Sequence, residues 1–314
     1  MKKVFAAILA AAMITASFSA CGGTGSASSA ATPASSDNTT VASSEAASSA
    51  AGLSGSINIS GSSALQPLVQ AAADEFKKTN PNLSITVNAG GSGTGLQNVS
   101  DKTVGIGDSD IFATEKLSKA KSDQLVDHIV CVVGVAAVVS PDVTVTSVTK
   151  QQLADIFTGK ATNWKDLGGA DEKITIINRP KSSGTRTLFK AYALGGKEEA
   201  TGQALSEDNS GLLKQQVAQT KGAIAYLAFS YLTDHTVKSL SIDGVAPNYD
   251  NVYGGKYNVW GYEHMYTNGE ATDPAKSFLD YIANDPNAQK IMTDKGYGLS
   301  SKMTVKRVAP APKS

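Results

Sequence analysis

Along most of this chain the spacing of apolar residues switches between a period of two and a period near 3.6. "SINIS", at Ser56 to Ser60, alternates and predicts a short strand. In the following "GSSALQPLVQAAADEFKKTNP", Leu65, Leu68, Val69, Ala72 and Phe76 fall on one helical face, and Pro81 lies beyond its end. "LSITVNAGGSGTGL" reads as a strand entering a glycine-rich loop, and "VGIGDSDI" as a strand ending in acidic and hydroxyl residues. The order then repeats. "HIVCVVGVAAVVSP" predicts a long buried strand, "TKQQLADIFTG" a helix, "KITIINRP" a strand and "SSGTRTLFKAYAL" a helix. Strands alternating with helices predict an α/β fold with a largely parallel sheet.

The amino-terminal part follows neither period. "MKKVFAAILAAAMITASFSACGG" has Lys2 and Lys3 ahead of an apolar stretch from Val4 to Ile14, then small residues before Cys21. That stretch is too short to span a bilayer, so residues 1–20 read as a secretory signal. Phe18-Ser19-Ala20-Cys21 resembles the lipobox of bacterial lipoprotein signals, although Leu is the commoner residue where Phe18 stands. That resemblance implies cleavage before Cys21 and a lipid on it; ordinary cleavage with a stray Cys is the alternative. From residue 21 to 55 the chain is nearly all Ser, Ala, Thr and Gly. It lacks the apolar surface to offset its conformational entropy and is expected to be a disordered tether.

Composition adds limits rather than a function. The 314 residues are 41% hydrophobic and 18% charged, enough for one large core or two medium ones. The 28 basic and 28 acidic residues cancel, so nothing suggests a nucleic-acid or polybasic membrane surface. Loss of Lys2 and Lys3 with the signal leaves 26 basic against 28 acidic residues, a net of −2. Any anion site must therefore be local. Of the two cysteines, an acylated Cys21 leaves Cys131 unpaired within the chain, and its apolar run makes it a small buried hydrophobe.

Four small-residue loops fall where predicted strands end or helices begin: Gly61 to Ala64, Gly90 to Gly95, Gly107 to Asp110, and Arg179 to Thr185. Open α/β sheets bind ligands at such places, and helix amino ends present unpaired N–H groups that favour anions. Each loop also has an ordinary reading. Ser62 and Ser63 are good helix caps, Asp110 can cap or start the next segment, and glycine clusters commonly mark turns. Arg179 alone would be a surface charge, and Arg186, one turn into the helix, is its rival.

Together these loops resemble those of the phosphate-binding lipoproteins that serve phosphate ABC transporters, a two-lobed, type II periplasmic-binding family. The resemblance runs from about Ser56 to about Leu299 and includes "IFTGKATNWKDLGG", "NAGGSGTG", "GIGDSD", "RPKSSGTRTLF" and "GAIAYLAFSYL". It implies an extracytoplasmic receptor, anchored to the cell membrane through Cys21, that captures inorganic phosphate and presents it to a permease. Carried over by motif, the ligand set is the Ser63 hydroxyl, the Ala64 amide, Ser92, Asp110, Arg179, Ser183, Gly184 and Thr185. Ser182 stands where glycine is frequent, and "YNVWGYEHMYT" departs from the Pro- and Arg-containing form of many members, so no ligand role is carried onto it. The implied architecture is lobe 1 from residues 56–140 plus 255–314 and lobe 2 from 141–254. The crossing segments are expected near Val139 to Val143 and Ala246 to Tyr257, in a monomer that closes on its ligand.

This ligand set is chemically coherent. A buried dianion needs a full set of donors, and a guanidinium can donate twice to one oxyanion. Asp110 would repel an anion, but phosphate keeps a proton near neutral pH that a carboxylate can accept. Sulfate has none, so Asp110 would act as a selectivity filter. Sulfate, molybdate or tungstate binding remains the alternative ligand class, with Asp110 the discriminator.

Enzyme readings find little support. There is no G-x-S-x-G; Ser147 to Lys150 and Ser118 to Lys121 fit S-x-x-K, but the sole Ser-Asp-Asn lies at Ser36 to Asn38 in the tether, and Lys-Thr-Gly is missing. A phosphate-ester hydrolase would need metal ligands or a nucleophile beside a base. His128, His235 and His264 are widely separated, so no metal site or cofactor is expected. They read as satisfied or surface residues, and His264, near aromatics, is also a candidate for tuning closure. Trp164 is expected to pack structurally.

Overall fold

The computed structural model describes residues 52–205 and 208–312. The expected signal, Cys21 and the tether as far as residue 51 lie outside them. The tether's last residues are already engaged: the Leu53 amide donates to Asn80 Oδ1 at 3.0 Å, and the first strand starts at Gly55.

The strands are β1 (Gly55–Gly61), β2 (Leu83–Ala89), β3 (Ile106–Ser109), β4 (Leu125–Val139), β5 (Ser147–Val148), β6 (Thr175–Asn178), β7 (Gln203–Ala204), β8 (Ala223–Ala228), β9 (Lys238–Ser239), β10 (Ser241–Ile242) and β11 (Trp260–Asn268). The helices are α1 (Gln66–Thr79), α2 (Ser92–Ser100), α3 (Lys119–Ser122), α4 (Lys150–Phe157), α5 (Gly184–Tyr192), α6 (Ser210–Gln219), α7 (Tyr249–Tyr253), α8 (Ala275–Asn284) and α9 (Pro286–Asp294). Every segment whose period predicted a strand or helix forms one. Capping explains where several begin: Thr149 caps α4 in a capping box with Gln152, and Ser183 caps α5 by accepting the Arg186 amide.

The main sheet runs β2-β1-β3-β11-β4-β8-β6-β7, with β9 also on β4. Its ends are parallel, but its centre is not: β11 runs antiparallel to both β3 and β4, and β4 antiparallel to β8. The expectation of a largely parallel sheet holds only for the flanks. The apolar run of β4 is buried on both faces from Val130 onward, and such a run carries no mark of its neighbours' direction.

β4 is also shared by two halves of the sheet. Residues 125–134 pair with β11, while Val135 to Val139 pair with β8. The chain returns beside that switch, where the Val135 amide donates to the Val259 carbonyl and Trp260 pairs with Gly134. One core gathers Ile57, Ile59, Leu68, Val69, Phe278 and Ile282 between α1, α8 and the β1 side of the sheet. Another gathers the β4, β6 and β8 residues with α4, α5 and α6, where Phe189 stacks on Tyr226 at 4.3 Å. Cys131 is buried and free, and Trp164 is buried with Nε1 donating to the Gly222 carbonyl at 3.0 Å.

The glycine loop differs from the sequence reading. Only Gly90 and Gly91 form a loop, and α2 starts at Ser92 with Gly93 and Gly95 inside it. Tertiary packing overrides the helix penalty of glycine here. A Cβ at Gly95 would lie 2.6 Å from the Gly61 Cα and the Ser60 carbonyl, so only glycine lets α2 press onto β1.

Candidate functional site

The amino ends of α1, α2, α5 and α6 bring small hydroxyl residues to one buried spot between the lobes. Ser63 lies in the turn entering α1, Ser92 opens α2, Ser183 caps α5, and Ser210 opens α6 behind its cap Asn209. Such ends carry unpaired N–H groups and partial positive charge. Convergence of several favours an anion without a cluster of lysines.

Arg179, at the end of β6, is 1% exposed and organises this spot. Its Nε donates to Ser183 Oγ at 2.8 Å and to Asp208 Oδ1 at 2.9 Å. Nη2 donates to Ser63 Oγ and Ser210 Oγ, both at 3.0 Å, and lies 2.6 Å from Asp208 Oδ1. Nη1 is buried with no protein partner. Arg186 points elsewhere: it donates to the Arg179 carbonyl and lies 3.3 Å from Glu199 Oε2. Glu199 also accepts from Asn178 Nδ2 at 2.8 Å and from the Tyr226 hydroxyl at 2.7 Å. Arg186 thus supports the backbone that carries Arg179 and leaves the guanidinium cluster to it.

Asp110, just past β3, is 1% exposed and ties the same lobes together. Ser62 Oγ donates to its Oδ1, Thr185 Oγ1 donates to Oδ2 at 2.7 Å, and its amide donates to Ser92 Oγ at 2.9 Å. It caps no helix. Ser62 does act as a turn cap, accepting the amides of Ala64 and Leu65 at 3.0 and 3.1 Å. The Ala64 amide is therefore bonded to Ser62, while the Ser63 hydroxyl is free of capping and joins Arg179 and Ser210. Gly184 permits the close approach: a Cβ there would overlap Ser92 Oγ and sit 2.7 Å from Ser92 Cβ and 3.0 Å from Asp110 Cβ. Backbone closes the same seam, with the Gly93 amide donating to the Ser182 carbonyl at 2.8 Å.

The local charge is balanced against an anion rather than for it. Arg179 faces Asp208, whose carboxyl is pushed up by burial against the opposing pull of Arg179, and Asp110 adds a second carboxyl. An anion held here would have to be met by aimed N–H and O–H dipoles, with the guanidinium held in place by Asp208.

Of the residues proposed from the sequence, Ser63, Ser92, Asp110, Arg179, Ser183, Gly184 and Thr185 meet here, and Ala64 lies beside them. The sequence reading missed Asp208 and Ser210. "DNSGLL" carries the same hydroxyl-and-glycine helix start as the other loops and could have flagged Ser210. The Tyr231 hydroxyl, donating to the Ser63 carbonyl at 2.7 Å, left no such trace. His264 is buried outside this cluster, its Nδ1 2.8 Å from Asp127 Oδ1. Among the described residues no group of His, Cys, Asp and Glu has the geometry to hold a metal ion.

A family model described as a PBP superfamily domain matches residues 28–286. The phosphate-binding protein PstS of Bacillus subtilis is 54% identical over 83% of this chain and 86% of its own length. A Clostridium perfringens protein assigned as a phosphate ABC transporter substrate-binding protein, solved with bound phosphate, is 31% identical. It superposes with a TM-score of 0.71 over 80% of this chain and all of its own. An ABC-type phosphate transport receptor from Vibrio cholerae, 24% identical with a TM-score of 0.61 over 77% of this chain and 99% of its own, shares the fold. The chain belongs to the PBP superfamily and, within it, to the family of the PstS phosphate-binding proteins.

Proposed function

We propose that this protein is an extracytoplasmic receptor that captures inorganic phosphate between its lobes and delivers it to an ABC transporter permease for import. It binds and releases; it is not an enzyme. The observation that carries this reading is the buried Arg179 cluster, in which an unpartnered Nη1 stands among hydroxyls from converging helix starts. Ser63, Ser92, Asp110, Arg179, Ser183, Gly184 and Thr185 are the proposed phosphate contacts, with the Ala64 amide released from Ser62 on binding. Ser210 joins the donors, and Asp208 holds the guanidinium.

The proposed lobes are residues 56–140 plus 255–314 and residues 141–254. We place their hinge where β4 changes partner at Gly134–Val135 and the chain returns at Val259–Trp260, a few residues outside the crossing segments expected at Val139 to Val143 and Ala246 to Tyr257. Opening there would separate Ser63, Ser92 and Asp110 from Arg179, Ser183 and Thr185. Equilibrium dialysis with labelled phosphate tests the ligand: unlabelled phosphate should displace it, and sulfate or molybdate should not. Displacement by sulfate at similar concentration would move the protein to another oxyanion.

The close approach at Gly184 gives a second expectation. Gly184→Ala should weaken phosphate binding by about tenfold or more through overpacking against Ser92 and Asp110. Its ligand-free melting temperature should stay near wild type, since the clash exists only when the lobes are shut. Equal affinity would mean that closure is looser than the geometry here.

The anchor is proposed from Cys21 and the segment before it, with a monomeric receptor tethered near its permease. Among the described residues no helix is long and apolar enough to cross a membrane. Cys21→Ala should shift the protein from the membrane fraction to the soluble extracytoplasmic fraction. Retention in the membrane would assign the attachment to something other than a lipid on Cys21.

A further inference from the structure

Behind Asp110 lies a carboxyl that the binding site does not use. Glu263, in β11, is 0% exposed, and neither of its side-chain oxygens has a hydrogen-bond donor. The antiparallel register places His264 opposite Ser109 and Met265 opposite Asp108. The ladder stops there, since β3 ends at Ser109 and β11 has an irregularity between Glu263 and His264, and Asp110, the next residue past β3, is the charged group that interacts most strongly with Glu263. Gly261, two residues earlier on the same face, packs against the Asp110 carbonyl, 3.0 Å from where a Cβ would be.

The other titratable groups around Glu263 are Asp108, Cys131 of β4, and the phenols of Tyr231, Tyr249 and Tyr297. None of these is a cation. Two ionised carboxyls opposed in a dry interior repel strongly, so one must keep its proton. Asp110 already accepts hydroxyl protons from Ser62 and Thr185, whereas Glu263 accepts none. Burial, and then Asp110 and Asp108, push the Glu263 carboxyl well above its ordinary range.

We infer that Glu263 is a positioning residue: a neutral carboxylic acid that keeps its own proton and donates a hydrogen bond through it to the Asp110 carboxyl, holding Asp110 as an acceptor. This rests on the phosphate reading, in which Asp110 must accept a proton from the ligand. A protonated Asp110 would meet the phosphate hydroxyl as a second donor and lose its power to exclude sulfate. Asp108 is likewise buried with Oδ1 unpartnered, and burial and then Asp110 push its carboxyl up, so it offers Glu263 no cation that would favour loss of the proton.

The test compares purified full-length wild type with Glu263→Gln and Glu263→Met across pH, by phosphate titration and by infrared difference spectroscopy. Phosphate's own protonation is common to all three and cancels in the comparison. Met cannot donate, so the affinity of that variant should fall about tenfold or more. Gln donates through its amide and cannot ionise. It should recover affinity to within about threefold and hold it at alkaline pH, where wild type declines as Glu263 ionises.

Stability follows the same sign. A carboxyl whose folded value is raised binds its proton more tightly in the native state, so its stabilising contribution is lost as pH rises above the unfolded value. Wild type should thus lose melting temperature toward alkaline pH faster than Glu263→Gln. At neutral pH the wild-type minus Glu263→Gln infrared spectrum should contain a protonated-carboxyl C=O band.

Wild-type affinity in Glu263→Met, or Glu263→Gln falling as far as Glu263→Met, would overturn the inference. So would absence of the band. If Glu263→Met does not fold, the Glu263→Gln profile and the spectrum decide alone. Failure of wild type itself to bind phosphate would instead overturn the receptor reading, while the spectrum would still report whether Glu263 keeps its proton.

Discussion

Asp110→Asn is expected to reduce the preference for phosphate over sulfate by about two orders of magnitude or more. A site built around one ligand hydroxyl rejects an analogue without it by about 10⁴ to 10⁵, because a buried acceptor is left unpaired and, for an anion, faces like charge. Asn is nearly isosteric and can still accept from Thr185 or Ser62 through its carbonyl oxygen. Its amide N–H can also donate to a sulfate oxygen, which the carboxylate cannot do. Phosphate affinity should fall while sulfate affinity rises, and paired titrations with the two anions give the ratio. An unchanged ratio would remove Asp110 from selectivity and leave its bonds to Ser62 and Thr185 as a lobe-to-lobe tie.

Arg179→Ala is expected to weaken phosphate binding by about 2 to 5 kcal/mol, the usual range for truncating one member of a buried charge pair. The substitution also strands Asp208, which is 3% exposed, so part of the loss would come from a destabilised fold. Arg179→Met with Asp208→Asn separates the effects. The double variant should recover much of the melting temperature and little of the phosphate affinity. A loss below about 0.5 kcal/mol in Arg179→Ala would assign recognition to backbone N–H groups and hydroxyls, since Arg186 is turned toward Glu199.

The site was legible in the sequence where one physical rule marks it. Ser92, Ser183 and Thr185 stand at helix starts beside glycines, and that pattern is local. Asp208 was not legible, because its role comes from a guanidinium 29 residues away in the chain. Glu263 was hidden for a related reason: its proposed role comes from lying beside Asp110, and β11 lies between two strands that precede it by more than a hundred residues. The predicted helices survived because their apolar faces and caps are local. The antiparallel centre of the sheet did not, since β4 is apolar on both faces whichever way its neighbours run.

Asp110 and Glu263 together suggest how a receptor with little local positive charge can be selective. The cluster pairs Arg179 with Asp208, and in the proposed reading it then distinguishes phosphate from sulfate by one proton. Calorimetric titration of the protein, unfolded and refolded to strip any carried ligand, against phosphate and against sulfate in phosphate-free buffer tests this most directly. The account predicts tight phosphate binding and no sulfate response. Binding of sulfate with comparable affinity, or of neither anion, would contradict it.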